Sequence, residues 1–281
     1  MSRFSRPKVE LKTPEQIAIM RRSGLLLSQV HDMLAEHIRP GITTARLDAL
    51  AEEMIRDHGA TPNFLGYHGY PASLCISVNE VVVHGIPGAQ ALAEGDIVSI
   101  DGGCIVDGWH SDAARTHIVG APRSEADARL VEVTREAMWQ GIAALAGAQR
   151  VGEIGGAIED FVTEAVGEEL SHLEDFGGHG IGTAMHQPPD VMNYRTRDRG
   201  PKVVPGMCLA IEPMLIQGPS DWEMDEDEWT IRVTGGGRAA HEEHSVAVTR
   251  EGLVVLTAAD GGAAELSARG VTAAPDPLAA A

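Results

Sequence analysis

The chain has 281 residues, 43% hydrophobic and 22% charged, which is enough apolar bulk for one sizeable globular domain or two halves around a shared core. Acidic residues number 41 against 22 basic, and the formal net charge of −19 excludes an unassisted grip on nucleic acid or on an anionic membrane surface. Cys75, Cys104 and Cys208 form no C-x-x-C pair, the charged start lacks a signal-peptide core, and no apolar run reaches membrane-spanning length, so a reduced, cytoplasmic compartment is predicted.

Residues 1–12 read as a short arm. Thr13-Pro14-Glu-Gln16 then opens a helix, with a Thr cap, Pro in the first turn and Gln three residues after the cap. The helix continues to Pro40-Gly41, and a second starts after Thr43 with Leu47, Leu50, Met54 and Ile55 on one face. Between Leu65 and Gly120 the pattern turns to short β-rich runs such as Leu74–Val78 and Ile97–Ile100. Ser124 caps a third helix to about Leu145, a fourth spans about Gly152 to Glu169, and strands with Gly-rich turns follow. Helix, helix, strands therefore occurs twice. A shift of 107 residues lays Leu47, Ala51, Met54 and Ile55 on Ile154, Ile158, Phe161 and Val162, which predicts an α/β (α+β) fold of two related halves. The acidic run Asp221–Glu228 reads as a solvated loop, and the Ala-, Gly- and Pro-rich stretch 258–281 as a disordered tail.

Five side chains carry the chemistry. Asp101 ends the apolar run Ile97–Ile100, and Asp112 follows after the turn signal Asp107-Gly108. A two-residue hairpin there sets Asp101 opposite Ala114 with Asp112 two positions along on the same face, about 7 Å away between Cβ atoms. His179 sits in Gly177-Gly-His-Gly-Ile-Gly182, where small residues let the backbone come close to a ligand. Glu212 closes Met207-Cys-Leu-Ala-Ile-Glu212 before Pro213, and Glu243 lies in His241-Glu-Glu-His244, whose alternation puts His241 and Glu243 on one face and Glu242 and His244 on the other. Carboxylates are rarely buried unless paired or coordinated. Four of them balance two divalent cations, and an oxygen-rich set with one imidazole and no thiolate suits Mn, Fe, Co or Zn.

The segments Asn79-Glu-Val-Val-Val-His84-Gly-Ile-Pro87, Asp96–Asp101, His110-Ser-Asp112, Gly178–Gly182, Ile211–Met214 and Glu243-His244 resemble the type I methionine aminopeptidases of peptidase family M24, in the short bacterial form, from about residue 12 to 257. The resemblance implies a pita-bread fold over residues 13–257, with two pseudo-symmetric halves around a curved antiparallel sheet. It implies removal of the amino-terminal methionine from nascent proteins and peptides with a small second residue, by hydroxide activated at a dinuclear metal centre. Asp101, Asp112, His179, Glu212 and Glu243 become the ligands, with Asp112 and Glu243 bridging. His84 contacts the amide nitrogen, His186 polarises the scissile carbonyl, and Glu243 shuttles the proton. Tyr67, Tyr70, Cys75, Met185 and Trp229 line the methionine pocket with Phe64 at its rim. Nascent polypeptides are the implied partners, a monomer the implied state, and ribosome contact stays open. The chain's own Met1-Ser2 start is an expected substrate.

Phe64 stands where a small residue is usual in well-known bacterial members, Met185 where an aromatic one is, and His241 where Gln is common. The first two bear on pocket shape, the third on metal preference or pH profile. X-Pro peptidases share the fold and a similar centre but usually carry a large extra amino-terminal domain, for which twelve residues leave no room. A metal-free binding relative is disfavoured by competent side chains at all five ligand positions.

Overall fold

Thr13 starts the first helix as expected: its hydroxyl accepts from the Gln16 N–H at 3.3 Å while the Gln16 side chain accepts from the Thr13 N–H at 2.8 Å. The computed structural model describes residues 8–279, so Met1-Ser2 and the first part of the predicted arm lie outside the described residues. Helix α1 covers Pro14–His37, and α2, Thr44–Asp57, is capped by Thr43. Ser124 caps α3, Glu125–Leu145, while α4, Gly152–Val166, stops short of the expected Glu169.

The two-fold reading of the sequence extends to burial. Leu47, Ala51 and Ile55 are buried, as are Ile154, Ile158 and Val162, whereas Met54 and Phe161 are both half-buried. Each helix pair covers its own apolar core: α1 and α2 pack over Leu74, Val98 and Ile100, and α3 and α4 over Leu209, Leu215 and Val246. Each fully buried aliphatic side chain contributes about 1.5–3 kcal/mol, and a further cluster joins Ile17 and Met20 of α1 to Ala247, Val254 and Leu256 of the second half. Among the described residues the strand ladders are antiparallel. Among the described residues no helix is long and apolar enough to cross a membrane.

The strands Ile97–Val106 and Trp109–Ile118 form the hairpin read from Asp107-Gly108, both of which take positive φ, 50° and 80°. Asp101 faces Ala114 in the ladder and Asp112 faces Gly103, as the turn requires. The run 221–228 is mostly exposed, although Trp222–Met224 adds a short strand against Ile231–Val233.

The stretch after Ala258 differs from expectation: through residue 279 it is packed rather than frayed. Helix α5, Ala263–Ala268, buries Leu266, and Ala273 bridges to Leu253. The fixing group is Arg21 on α1, fully buried, whose guanidinium donates to the carbonyls of Leu256 (2.7 Å), Ala258 (2.6 Å) and Ala259 (2.9 Å) and pairs with Asp276 at 2.9 Å. A composition-based argument for disorder weighs only what the segment itself can bury. Here the order comes from a fork of donors some 250 residues away in sequence. Replacing Arg21 by Met takes the guanidinium from the Leu256 and Ala259 carbonyls and from Asp276, while the Ala258 carbonyl keeps the Gly261 N–H; thermal melting should show a loss of about 3 kcal/mol, and an unchanged melting temperature would show the tail is held by other contacts.

Candidate metal centre

Two strands break at the same place. Cys208–Ile211 and Met214–Gln217 are separated by Glu212-Pro213, and Ala239–His241 and His244–Val248 by Glu242-Glu243. The broken strands run side by side, with Ile211 opposite His244 and Met214 opposite His241, so both interruptions fall at one junction between two sheets. Pro213 cannot donate to a ladder, and the side chains of Glu212 and Glu243 leave the sheet there. The backbone of Glu243 exchanges hydrogen bonds with Ala114, the residue opposite Asp101, which ties the first-half hairpin to the junction. His179 enters from Gly178–Gly180; a Cβ on Gly178 would lie 2.2 Å from the Ala210 carbonyl oxygen, so only glycine lets this strand come so near.

Asp101, Asp112, His179, Glu212 and Glu243 therefore line one cavity of about 120 Å³, together with His84, His186 and His241. Single ligand atoms of Asp112, His179 and Glu243 lie within 4.8 Å of one another, as do those of Glu212, His241 and Glu243. Glu243 belongs to both triples; Asp112 belongs to one, and Asp101 to neither at that distance. The strand parity inferred from sequence is present: His241 and Glu243 face this cavity, while Glu242 turns to Arg135 at 3.5 Å and the Thr116 N–H.

The electrostatics demand a cation. Asp101 is pushed up to about 7, chiefly by burial, with His241 opposing and Glu212 adding. Burial raises Glu212 to about 8. Asp112 and Glu243 lie well above the usual carboxylate range through burial and the neighbouring acids. Asp101 Oδ1, Asp112 Oδ1 and Glu243 Oε1 are buried without a hydrogen-bond partner, and the partners of Glu212 within ion-pair distance are imidazoles. Buried acids that repel one another and keep unpaired oxygens fit divalent cations and little else. His179 is ready to bind one: its Nδ1 donates to the Gly180 carbonyl at 3.0 Å, which leaves the Nε2 lone pair free, and burial with His186 nearby lowers it to about 3.

Beside the acids lies an apolar wall. Phe64, Tyr70, Cys75 and Met185 are each at most 8% exposed and form one cluster with Tyr67 and Trp229. The Tyr70 hydroxyl turns away to the carbonyls of Leu74 (3.0 Å) and Gly85 (3.1 Å), so its ring presents only carbon to the cavity. Trp229 is set by the acidic loop itself, because Asp227 accepts from the N–H groups of Trp229 (2.9 Å) and Thr230 (2.8 Å). His84 takes a positive φ of 60° after the Val81–Val83 strand, and its ring meets Phe176 and Trp229 at 5.8 and 6.4 Å between centroids. The Tyr67 hydroxyl lies 2.8 Å from His186 Nδ1. Val83 in the wall and Phe176 behind His84 went unnoticed in the sequence, where isolated apolar residues carry no distinguishing signal.

A two-halved antiparallel α/β fold with buried carboxylates at its centre that could hold metal ions defines a class of metallohydrolase. Residues 18–250 match the model of metallopeptidase family M24. The methionine aminopeptidase of Clostridium perfringens is 46% identical over 247 residues, spanning 88% of this chain and 98% of its own, and methionine aminopeptidase 1 of Bacillus subtilis is 41% identical over 246 residues with the same shares. The crystal structure of the Thermotoga maritima methionine aminopeptidase superposes with a TM-score of 0.85 at 36% identity, covering 89% of this chain and 99% of that one. The chain belongs to metallopeptidase family M24 and, within it, to the methionine aminopeptidases.

Proposed function

We propose that the chain removes the amino-terminal methionine from nascent proteins and peptides whose second residue is small, with two divalent cations held by Asp101, Asp112, His179, Glu212 and Glu243. The observation that carries this reading is the cluster of buried acids with unpaired oxygens beside a small apolar pocket. Bound there, two cations of the Mn, Fe, Co or Zn type supply Lewis acidity, lowering the pKa of a water to about 7 and offsetting the negative charge that grows on the scissile carbonyl.

The chain's own groups do the rest. Glu243, common to both ligand triples, takes the proton that the attacking water gives up and passes it to the departing amine. When the Tyr67 hydroxyl donates to His186 Nδ1, the opposite nitrogen must carry hydrogen and can donate to the scissile carbonyl. Burial, with His241 and His186 nearby, lowers His84 to about 4, so it meets the amide nitrogen as a neutral ring. Phe64, Tyr67, Tyr70, Cys75, Met185 and Trp229 accept the methionine side chain by shape, since no charge lies in that wall to select another. The reading places the enzyme in the cytoplasm as a monomer.

Comparing Met-Ala-Ser with an X-Pro dipeptide tests it. Release of methionine from the first and little turnover of the second is expected; preference for X-Pro would overturn the assignment. His84→Ala should lower kcat by about 100-fold with a smaller change in KM, as befits a group that acts in the transition state. A change confined to KM would remove its assigned role.

A further inference from the structure

His241 stands at the heart of the cavity with nothing to do. It is 2% exposed, and its Nε2 has no hydrogen-bond partner. A buried polar atom left unpaired is destabilising, so a nitrogen kept in that state asks for a ligand. Its position is tightly fixed. The backbone N–H donates to Thr116 Oγ1 at 3.0 Å and to Ser99 Oγ at 3.2 Å, the carbonyl accepts from the Thr116 hydroxyl at 2.7 Å, and the residue pairs with Met214 across the ladder.

The Glu212 carboxylate lies between two imidazoles. His179 Nε2 is 3.5 Å from its Oε1, and His241 Nε2 is 3.4 Å from its Oε2. Both distances exceed the N–H···O range of about 2.7–3.2 Å. They match instead two ligand atoms that share one ion, because donors about 2.1 Å from a tetrahedral cation stand about 3.4 Å apart. One atom each of Glu212, His241 and Glu243 falls within 4.8 Å of the others, a triple equivalent to Asp112, His179 and Glu243. Resting on the reading that the cavity holds two cations, we infer that His241 is a sixth protein ligand, binding through Nε2 the cation it shares with Glu212 and Glu243. The pair of cations then carries two imidazoles instead of one. A second nitrogen donor shifts the pair away from hard, oxygen-preferring ions and toward Zn, Co and Fe.

The rival role for His241 is an outer partner that only orients Glu212, and affinity alone would not tell the two apart, since outer partners also cost about 10–100-fold when removed. Counting coordinated rings does. Stripped protein is reloaded with zinc, bound metal is measured by elemental analysis, and the number of imidazoles on zinc is read by X-ray absorption. The native chain should hold two zinc ions and two imidazoles. H241Q, which keeps most of the ring's volume, and H241A should each show one imidazole per chain and at least about tenfold weaker binding at one of the two sites. Two zinc ions with a single imidazole in the native chain, or an H241Q count equal to native, would overturn the inference and leave the proposed function standing. A native chain that binds no zinc, cobalt, manganese or iron would overturn the proposed function itself.

Discussion

His179→Ala and Asp101→Ala should each reduce methionine release from Met-Ala-Ser by about a thousandfold or more, a loss of at least about 4 kcal/mol of transition-state stabilisation. The fold should survive. Neither side chain belongs to the apolar clusters that hold the two halves, and removing the Asp101 carboxylate relieves its repulsion with Asp112, Glu212 and Glu243. In the absence of added cations Asp101→Ala should therefore melt no lower than the native chain, while its capacity to bind two cations is lost. Near-native turnover in either variant would refute the ligand assignment; a collapsed near-ultraviolet dichroism spectrum would show that the residue is structural instead.

The second large effect is on stability, and it depends on pH. With no cation added, the folded chain keeps protons on Asp101 up to about pH 7 and on Glu212 up to about pH 8, chiefly because both are buried, whereas in the unfolded chain such groups lose them near pH 4. The stability this difference gives is complete below the unfolded values and vanishes as pH rises through the folded ones. The buried histidines act in the opposite sense. His179, lowered to about 3, and His84, lowered to about 4, cost stability only where an unfolded imidazole would be protonated, below about pH 6.5. From about pH 6.5 to 8.5 the carboxylates therefore set the slope at this site, and the cation-free protein should melt progressively lower as pH rises. Saturating divalent cation should abolish that fall, since coordination favours the ionised acids. At a hundred times Kd it adds about 2.7 kcal/mol, or roughly 5–10 °C for a chain of this size. A melting temperature that rises with pH in chelator, or that ignores added cation, would contradict the electrostatic account of the cavity.

What the sequence revealed and what it concealed divide along the range of the interactions. The Asp107-Gly108 turn is local chemistry, and it was enough to set Asp101 against Ala114 and so to put two acids on one face. The Thr13, Thr43 and Ser124 caps were equally legible, each satisfying an amide three residues on. Strand parity sent Glu243 inward and Glu242 outward even though the strand is interrupted between His241 and His244, because the chain stays extended through the break. Long-range partners were invisible. Nothing in the composition of residues 258–279 announces that Arg21 reaches them from α1, and nothing in an acidic surface run shows that Asp227 orients Trp229 toward the pocket. The common junction of the Glu212 and Glu243 breaks also needs the strand order of the whole second half.

The most direct measurement follows free methionine released from Met-Ala-Ser by chelator-stripped protein as Mn, Fe, Co or Zn is returned in turn. Release should be absent in chelator and should climb to a plateau as cation is restored, with an X-Pro dipeptide left nearly uncut. Full release in the presence of chelator, or no release with any of the four ions, would contradict the claim that these buried acids exist to hold the cations on which the reaction depends.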